Sequence, residues 1–600
     1  FSPRIAAAWN PDFGDGFFGR HLFGGKNTVI RGGYGRIYGR LNGVDLVLVP
    51  LLGTGLIQPV QCFNPTATGG APSCGQQGVN ASNAFRIGTN GLTAPIAPAS
   101  ATLPQPDFPG ISICNAPTAG AVCPEAGASE GFDPHFRPNS VDSFTLSIQR
   151  QIGQRNTIEI GYIGRLIHNE YMPINTNAVP YMFTLGGQQF QTAYANIEKQ
   201  MGCATSAAAC YNADPTITPT PQPFFEAALG GANSGYCKGY ASCTAAVYAN
   251  EFGNLQSQNV WSLWSDLDNH TATADPTNGF CPTLAKGTPC TQFIFAPTMQ
   301  QNTNQLSSGL GLNASVGYGN YHAGFVSWRM NNWHGLTSQS NFTWGKALGT
   351  NSEVQASSEL TLDDPYNVSR NYGLQPFDRK FVFNSFLVYE SPFFKGQRGI
   401  LGRLLGGWNI APILSMGSGF DEGCVATLGG TTAQAFGSAD GVDYFDTEQC
   451  VPIGPIPVEA RHLGVTSGPD AAGNQIANQN FSGANVQYNA FANPLAVWNN
   501  VRPAILGLDN GHDSGTGLLR GMPFWNVDLS VKKNFRITER FSTTFSTVFT
   551  NLFNHDQFSD GTIDLSNPGC LGVLTAGCSA SGATQISNPR QIELSLRINF

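Results

Sequence analysis

The sequence predicts an all-β protein, an antiparallel transmembrane β-barrel of which about eleven strands are present. Three observations carry that prediction: a terminal strand with one apolar and one charged face, a composition poor in charge, and connections that alternate between short and very long. In QIELSLRINF, at the carboxyl end, Ile592, Leu594, Leu596, Ile598 and Phe600 fall on one side at a period of two. Gln591, Glu593, Ser595, Arg597 and Asn599 fall on the other. Such a strand suits a wall between lipid and water. A slip of one residue would turn Glu593 and Arg597 into hydrocarbon, where an Arg or Lys costs roughly 2 to 4 kcal/mol at the midplane, so the register is strongly specified.

Charged residues make up 12% of the 600, against roughly 25% in soluble domains, and 71 Gly and 40 Phe accompany them. No apolar run reaches the roughly 18 residues of a transmembrane helix. The mean hydropathy of -0.13 resembles that of a soluble protein, because strand alternation averages the lipid-facing positions away. With 31 basic and 39 acidic residues the net charge is -8, which excludes a nucleic-acid partner. The opening FSPRIAAAWNPDFGDG has no charged n-region, h-region or cleavage site, although a barrel of this kind must be exported. The expectation is a fragment that begins inside a domain.

Period-two segments place strands at 2–9, 27–38, 140–152, 157–167, 317–331, 336–348, 379–391, 406–417, 523–533, 540–553 and 590–600. Phe144, Leu146 and Ile148 alternate with Thr145, Ser147 and Gln149, and Ile158, Ile160 and Tyr162 with Glu159 and Gly161. Trp525, Val527, Leu529 and Val531 alternate in the same way with Asn526, Asp528, Ser530 and Lys532. IGQRN, NNWHG and NFRITER read as short turns, whereas 39–139, 168–316, 349–378, 418–522 and 554–589 are long, polar loops rich in Gly, Pro, Asn and Thr.

All 14 cysteines fall in those loops, in sequential couples: Cys62/Cys74, Cys114/Cys123, Cys203/Cys210, Cys237/Cys243, Cys281/Cys290, Cys424/Cys450 and Cys570/Cys578. Even number and short spacing predict local disulfides in an oxidising compartment, each worth about 2 to 4 kcal/mol; the absence of C-x-x-C and the scattered His speak against zinc. The long loops are therefore expected outside the cell, and the short turns and Phe600 in the periplasm. Bacterial single-chain barrels have even strand counts, so an odd count predicts a partial wall. Eleven strands would close a tube only about 22 Å across, whereas twenty-two make about 44 Å and need a plug. The chain is then the second half of such a barrel.

Several local patterns invite sharper readings. GGYGRIYG at 32–39 lacks the Lys-Ser/Thr ending of a phosphate loop, and glycine easing a barrel strand or making room for an aromatic is favoured. Asp440, Asp443 and Asp446, or Asp509, Asn510 and Asp513, could hold calcium, but a solvated acidic loop is the simpler reading. Trp261 and Trp264 could grip a sugar or peptide as a ligand loop, with packing inside a folded loop domain the favoured alternative. No catalytic constellation stands out, so no enzyme activity, metal or cofactor is expected. Asp528, Lys532, Glu593 and Arg597 are expected to face the lumen, and Trp328, Trp344, Trp408, Trp525 and Phe600 the interfacial girdles.

PRIAAAWNPDFGDG with NTVIRGGYGRIYGR, then VDSFTLSIQRQIGQRNTIEIGYIGR, GNYHAGFVSWRM with NFTWGKAL, PFDRKFVFNSFLVYESPF with LLGGWNIAPILSMGSG, and FWNVDLSVKKNFRITERFSTTFSTVFTNLFNHDQF follow one another in order. Together they resemble the C-terminal part of a TonB-dependent outer-membrane receptor of the Oar-like group, across nearly the whole chain. SGFDEGC departs from the family by lacking a proline after Ser-Gly, and the loops 168–316 and 418–522 are long. The resemblance implies active import of a large or scarce solute, with loops or plug capturing it and TonB pulling on a plug outside this chain. It also implies that Phe600 is the signal read by the barrel-assembly machinery. The implied partners are the bilayer, that machinery, the TonB complex and an unknown extracellular solute. The alternatives are a surface barrel that binds a partner without import, and a secreted β-sandwich enzyme.

Overall fold

The computed structural model describes residues 2–12, 26–40, 129–175, 179–232, 235–268, 310–350, 366–375, 377–422, 450–456, 468–477, 488–509, 519–538, 540–557, 567–573 and 588–600, with isolated residues and short segments between them. Eleven strands pair antiparallel in chain order: β1 (Arg4–Trp9), β2 (Thr28–Tyr38), β3 (Ser140–Ile152), β4 (Asn156–Asn175), β5 (Leu310–Trp333), β6 (Leu336–Gly349), β7 (Phe381–Glu390), β8 (Trp408–Gly417), β9 (Phe524–Arg536), β10 (Ser542–Thr550) and β11 (Gln591–Asn599). All but β4 and β5 lie within three residues of their predicted bounds. Among the described residues, β1 and β11 are the free edges of an open wall.

Register links one face of this wall from β1 to β9. Trp9, Ile30, Ile148, Ile160, Val326, Phe342, Phe383, Met416 and Trp525 are successive cross-strand partners, and every one is apolar. One residue along each strand, Gln149, Glu159, Ser327, Asn341, Asn384, Ser415 and Asn526 form a polar row on the opposite face. Partners in a ladder share a face, so the alternation seen strand by strand adds up to one apolar and one largely polar surface. On the polar face Phe325 lies over Gly161, its register partner, where a Cβ would collide with the ring. The glycine gives an aromatic the room it needs.

The ends of the wall differ. One end carries the tight turns: Gly153–Arg155 joins β3 to β4, and His334–Gly335 joins β5 to β6 with φ of 52° and 87°. Positive φ at both central residues is the two-residue hairpin that matches strand twist, and a Cβ on Gly335 would collide with the Glu390 carbonyl. The long connections leave the other end.

Two of those long connections, and one connection at the opposite end, contain helices. Between β4 and β5 the chain forms α1 (Phe190–Met201), α2 (Ala207–Tyr211), α3 (Pro223–Ala228), α4 (Cys243–Asn250), α5 (Phe252–Gln256) and α6 (Val260–Asp268). In the connection between β7 and β8 lies α7 (Gly399–Leu405), and in that between β8 and β9 lies α8 (Pro494–Asn499). In α1 the buried positions include Phe190, Ala193, Tyr194, Ile197, Glu198 and Met201, one stripe at helical spacing, and the helix stops at Gly202 with φ of 92°. Ser206 and Ser242 cap α2 and α4 by accepting from the amides of Ala209 and Ala245.

Candidate functional site

The α1–α6 segment, the described residues between 450 and 506, and Leu565, Leu571 and Val573 share one hydrophobic core. Its centre is aromatic: the Phe190 ring lies 5.4, 5.9 and 4.9 Å from those of Phe224, Phe225 and Trp264. Tyr211 and Trp498, at 6.1 Å, join the first segment to the second, and the Trp498 indole donates to Asp470 at 2.9 Å. Leu571 and Val573 bring in the third. A domain built from three chain-distant loops stands at the long-connection end of the wall, where its position depends on packing and not on tethers alone.

Disulfides join Cys203 to Cys210 and Cys237 to Cys243, with Cα atoms 4.0 and 4.7 Å apart. Cys62 and Cys74 are register partners in a two-residue ladder, and Cys450 and Cys570 each take part in a disulfide. Cys290 lies in the short strand Pro289–Gln292, whose side chains are not described. Cys114, Cys123, Cys281, Cys424 and Cys578 lie outside the described residues.

The core encloses ionisable groups. Glu198 is fully buried and accepts from the Gln258 side chain at 3.2 Å. Its carboxylate lies within 4.8 Å of the Cys203 and Cys210 sulfurs, but these are joined to each other and present no thiolate to a metal. Burial pushes the Glu198 carboxyl up to about 8, and burial with the neighbouring Asp266 charge pushes Glu251 up to about 7. Both are raised above the ordinary glutamate value of 4.5. Below that value both states hold their protons and the stabilising contribution is complete. As pH rises the unfolded chain releases protons first, so stability declines through the window up to about 8, where the Glu198 contribution is gone. Denaturant titration of the loop domain is expected to show a fall on the order of a few kcal/mol between about pH 5 and 8. Glu198→Gln with Glu251→Gln should flatten it, and an unchanged slope in that variant would assign the titration elsewhere.

Further charges fasten the loops to one another and to the strand ends. Arg502 donates twice to Asp509, at 2.6 and 2.7 Å, with both side chains buried, and the same carboxylate accepts the Ile505 amide at 2.9 Å. Arg370 donates to the Asp509 carbonyl, and Tyr181 to Asp364 at 2.7 Å. Asp378 accepts from Arg520 and from the Ala347 amide of β6, while the Arg379 guanidinium lies 3.5 Å from the Phe420 ring centroid. This arrangement holds a surface in place.

The expected site residues fall in different places. Trp264 is buried in the core, so its ring is packed against protein; the Trp261 side chain lies outside the described residues. Asp509 is not a solvated acid but the partner of Arg502. Asp440, Asp443, Asp446, Asn510 and Asp513 lie outside the described residues. Asp528 shares the polar-face side of β9 with Asn526 and accepts from its side chain and from the Asn551 amide, at 2.9 and 2.8 Å. Lys532, Glu593 and Arg597 are exposed, and among the described residues no ion pair joins them to one another. Trp328, Trp344, Trp408 and Trp525 lie exposed on the apolar face, and Phe600 is exposed.

Two features escaped the sequence reading. Helix α1 has a plain three-and-four spacing of apolar residues, which a search for period two passes over. Lys533 continues the apolar series Trp525, Val527, Leu529, Val531, yet it is only 2% exposed and donates to the carbonyls of Leu404 and Gly406. A lysine ending an apolar face is itself the signal that a partner must be found.

The outer membrane beta barrel domain family matches residues 1–593. No curated protein sequence matches the chain. Among solved structures it is similar to the outer membrane transporter YddB from Escherichia coli, with 8% identity, a TM-score of 0.35, and 100% of this chain covering 40% of that one. The siderophore receptor PirA from Acinetobacter baumannii gives 7% identity, a TM-score of 0.31 and the same coverage. The ferripyoverdine receptor of the outer membrane of Pseudomonas aeruginosa gives 7%, 0.29, and 100% of this chain over 32% of that one. The chain thus spans 40% or less of the length of these proteins.

Proposed function

Because the chain belongs to the outer membrane beta barrel domain family, we propose that it is part of the barrel of a TonB-dependent outer-membrane receptor of the Oar-like group, importing a large or scarce solute. The observation that carries this reading is the loop domain: three long connections at one end of a lipid-compatible wall pooled into a single core. A rigid multi-loop surface at a barrel mouth suits capture of a solute too large for a simple pore. Edges left unpaired in a bilayer are costly, so the eleven strands call for further strands, and a tube of about 44 Å calls for a plug. In this reading the long connections face outward, their disulfides suit that oxidising side, and the short turns and Phe600 face the periplasm. The protein acts as a receptor and not as an enzyme.

The test uses the full-length protein in outer membranes. Site-specific crosslinking to the periplasmic domain of TonB is expected, with uptake lost when the proton motive force is collapsed. Solute binding that persists without any TonB contact or energy-dependent uptake would favour a surface binding barrel instead. Deletion of Phe600 is expected to reduce the heat-modifiable folded form in the outer membrane. Unchanged levels of that form would remove Phe600 from the assembly signal.

A further inference from the structure

The connection between β7 and β8 is longer than the β3–β4, β5–β6 and β9–β10 turns at its end of the wall and carries an apolar surface. From Ser391 to Gly407 it holds Phe393, Phe394, Ile400, Leu401, Leu404 and Leu405, all exposed, with Ile400 at 81% and Leu401 at 67%. Lys395, Arg398 and Arg403 are exposed among them, and the segment has no acidic residue. Greasy side chains interleaved with cations and no anion form a surface that water and an ordinary protein core both suit poorly.

Its attachment decides what it faces. Trp408 and Lys533 are register partners on the apolar face of the wall. The Lys533 ammonium donates to the Leu404 carbonyl at 3.1 Å and to that of Gly406, satisfying the carboxyl end of α7 and complementing its dipole. The Trp408 indole donates to Leu404 at 2.9 Å, and the ammonium lies 5.0 Å from the Trp408 ring centroid. The Gln397 side chain donates to the Asn534 carbonyl at 2.8 Å and accepts the Arg536 amide at 2.9 Å. The helix is therefore bound to the rim of the wall on its apolar side, and its own apolar residues continue that side beyond the last row of the strands. Ile537 and Phe541, exposed in the next turn, extend the band.

We propose that α7 with its flanking residues is an interfacial anchor seated in a phospholipid headgroup layer, with Ile400, Leu401, Leu404 and Leu405 toward the acyl chains and Lys395, Arg398 and Arg403 toward anionic phosphates. The continuity with the lipid-facing wall and the charge complementarity carry the inference. It rests on the membrane reading of the wall and extends it: Lys533, which a bilayer-facing strand would otherwise expose, becomes the bolt that holds the anchor.

Full-length protein with Leu401→Cys, labelled with an environment-sensitive fluorophore under non-reducing conditions, is refolded into vesicles of phosphatidylethanolamine and phosphatidylglycerol. Gln154→Cys in the β3–β4 turn and Leu596→Cys on the wall serve as references. The anchor predicts blue-shifted emission at 401, with quenching by headgroup-level lipid quenchers several-fold stronger than at 154. Arg398→Gln with Arg403→Gln should weaken it, as should omission of phosphatidylglycerol. Aqueous quenching at 401 equal to that at 154, with 596 shielded, would overturn the anchor while leaving the wall intact, and would point to a protein partner. Aqueous quenching at 596 as well would overturn the membrane reading itself.

Discussion

Leu594→Arg is expected to destabilise the folded protein in a bilayer by about 2 to 4 kcal/mol, whereas Ser595→Arg, one residue away, should cost little. Leu594 lies in the middle of β11 on the apolar face, opposite Thr547, and Ser595 lies on the other face opposite Ser546. The two positions share backbone, exposure to neighbours and distance from the strand ends, so their difference isolates the face. Reversible denaturant titration of the full-length protein in vesicles reads both. Equal losses would mean that the two surfaces of the wall meet the same solvent.

Arg502→Met is expected to destabilise the loop domain by about 3 to 5 kcal/mol, because it leaves the Asp509 carboxylate buried without its bidentate partner. Replacing both residues, Arg502→Met with Asp509→Leu, should recover much of that loss, since the penalty lies in the stranded charge. Proteolysis of the 450–509 segment in native membranes gives an independent reading. A double variant as unstable as the single one would assign the cost to packing around Arg502 rather than to electrostatics.

The wall was legible because its signal is local. A residue facing lipid and a residue facing water alternate within any strand, and Phe144 through Ile148 or Trp525 through Val531 display this without knowledge of their partners. The upper parts of β4 and β5 were not legible for the opposite reason. In HNEYMPIN, Met172 is fully buried and Tyr171 donates to Asn313 at 2.6 Å, while the Leu310–Asn313 stretch pairs with residues 129–132. Those strands continue because segments far away in sequence cover them, and no alternation records it.

The long loops read in sequence as polar connections, yet they hold helices for the same physical reason. Their Gly, Pro and Asn content masks short helices such as α4 and α8, each too brief to show a period by itself. What stabilises them is a core assembled from three loops, in which Trp264 is buried against Phe190 and Phe224 of distant helices and Trp498 against Tyr211 of another loop. Packing of Trp264 inside a loop domain was the alternative that the sequence favoured; the buried Arg502–Asp509 pair was not foreseen, because a carboxylate beside glycines reads equally well as solvated. Lys533 teaches the complementary lesson. Its position on an apolar face was visible in the alternation, but its solution, the end of α7, lies more than a hundred residues upstream.

Which environment each face of the wall meets can be measured most directly along β9. Single cysteines placed at each position from Trp525 to Lys532 in the full-length protein, reconstituted in vesicles, can be probed with a lipid-borne quencher and with a water-soluble one. Lipid quenching at 525, 527, 529 and 531, with aqueous quenching at 526, 528, 530 and 532, is the predicted result. A pattern without that two-residue period, or one in which both faces are closed to lipid, would contradict it.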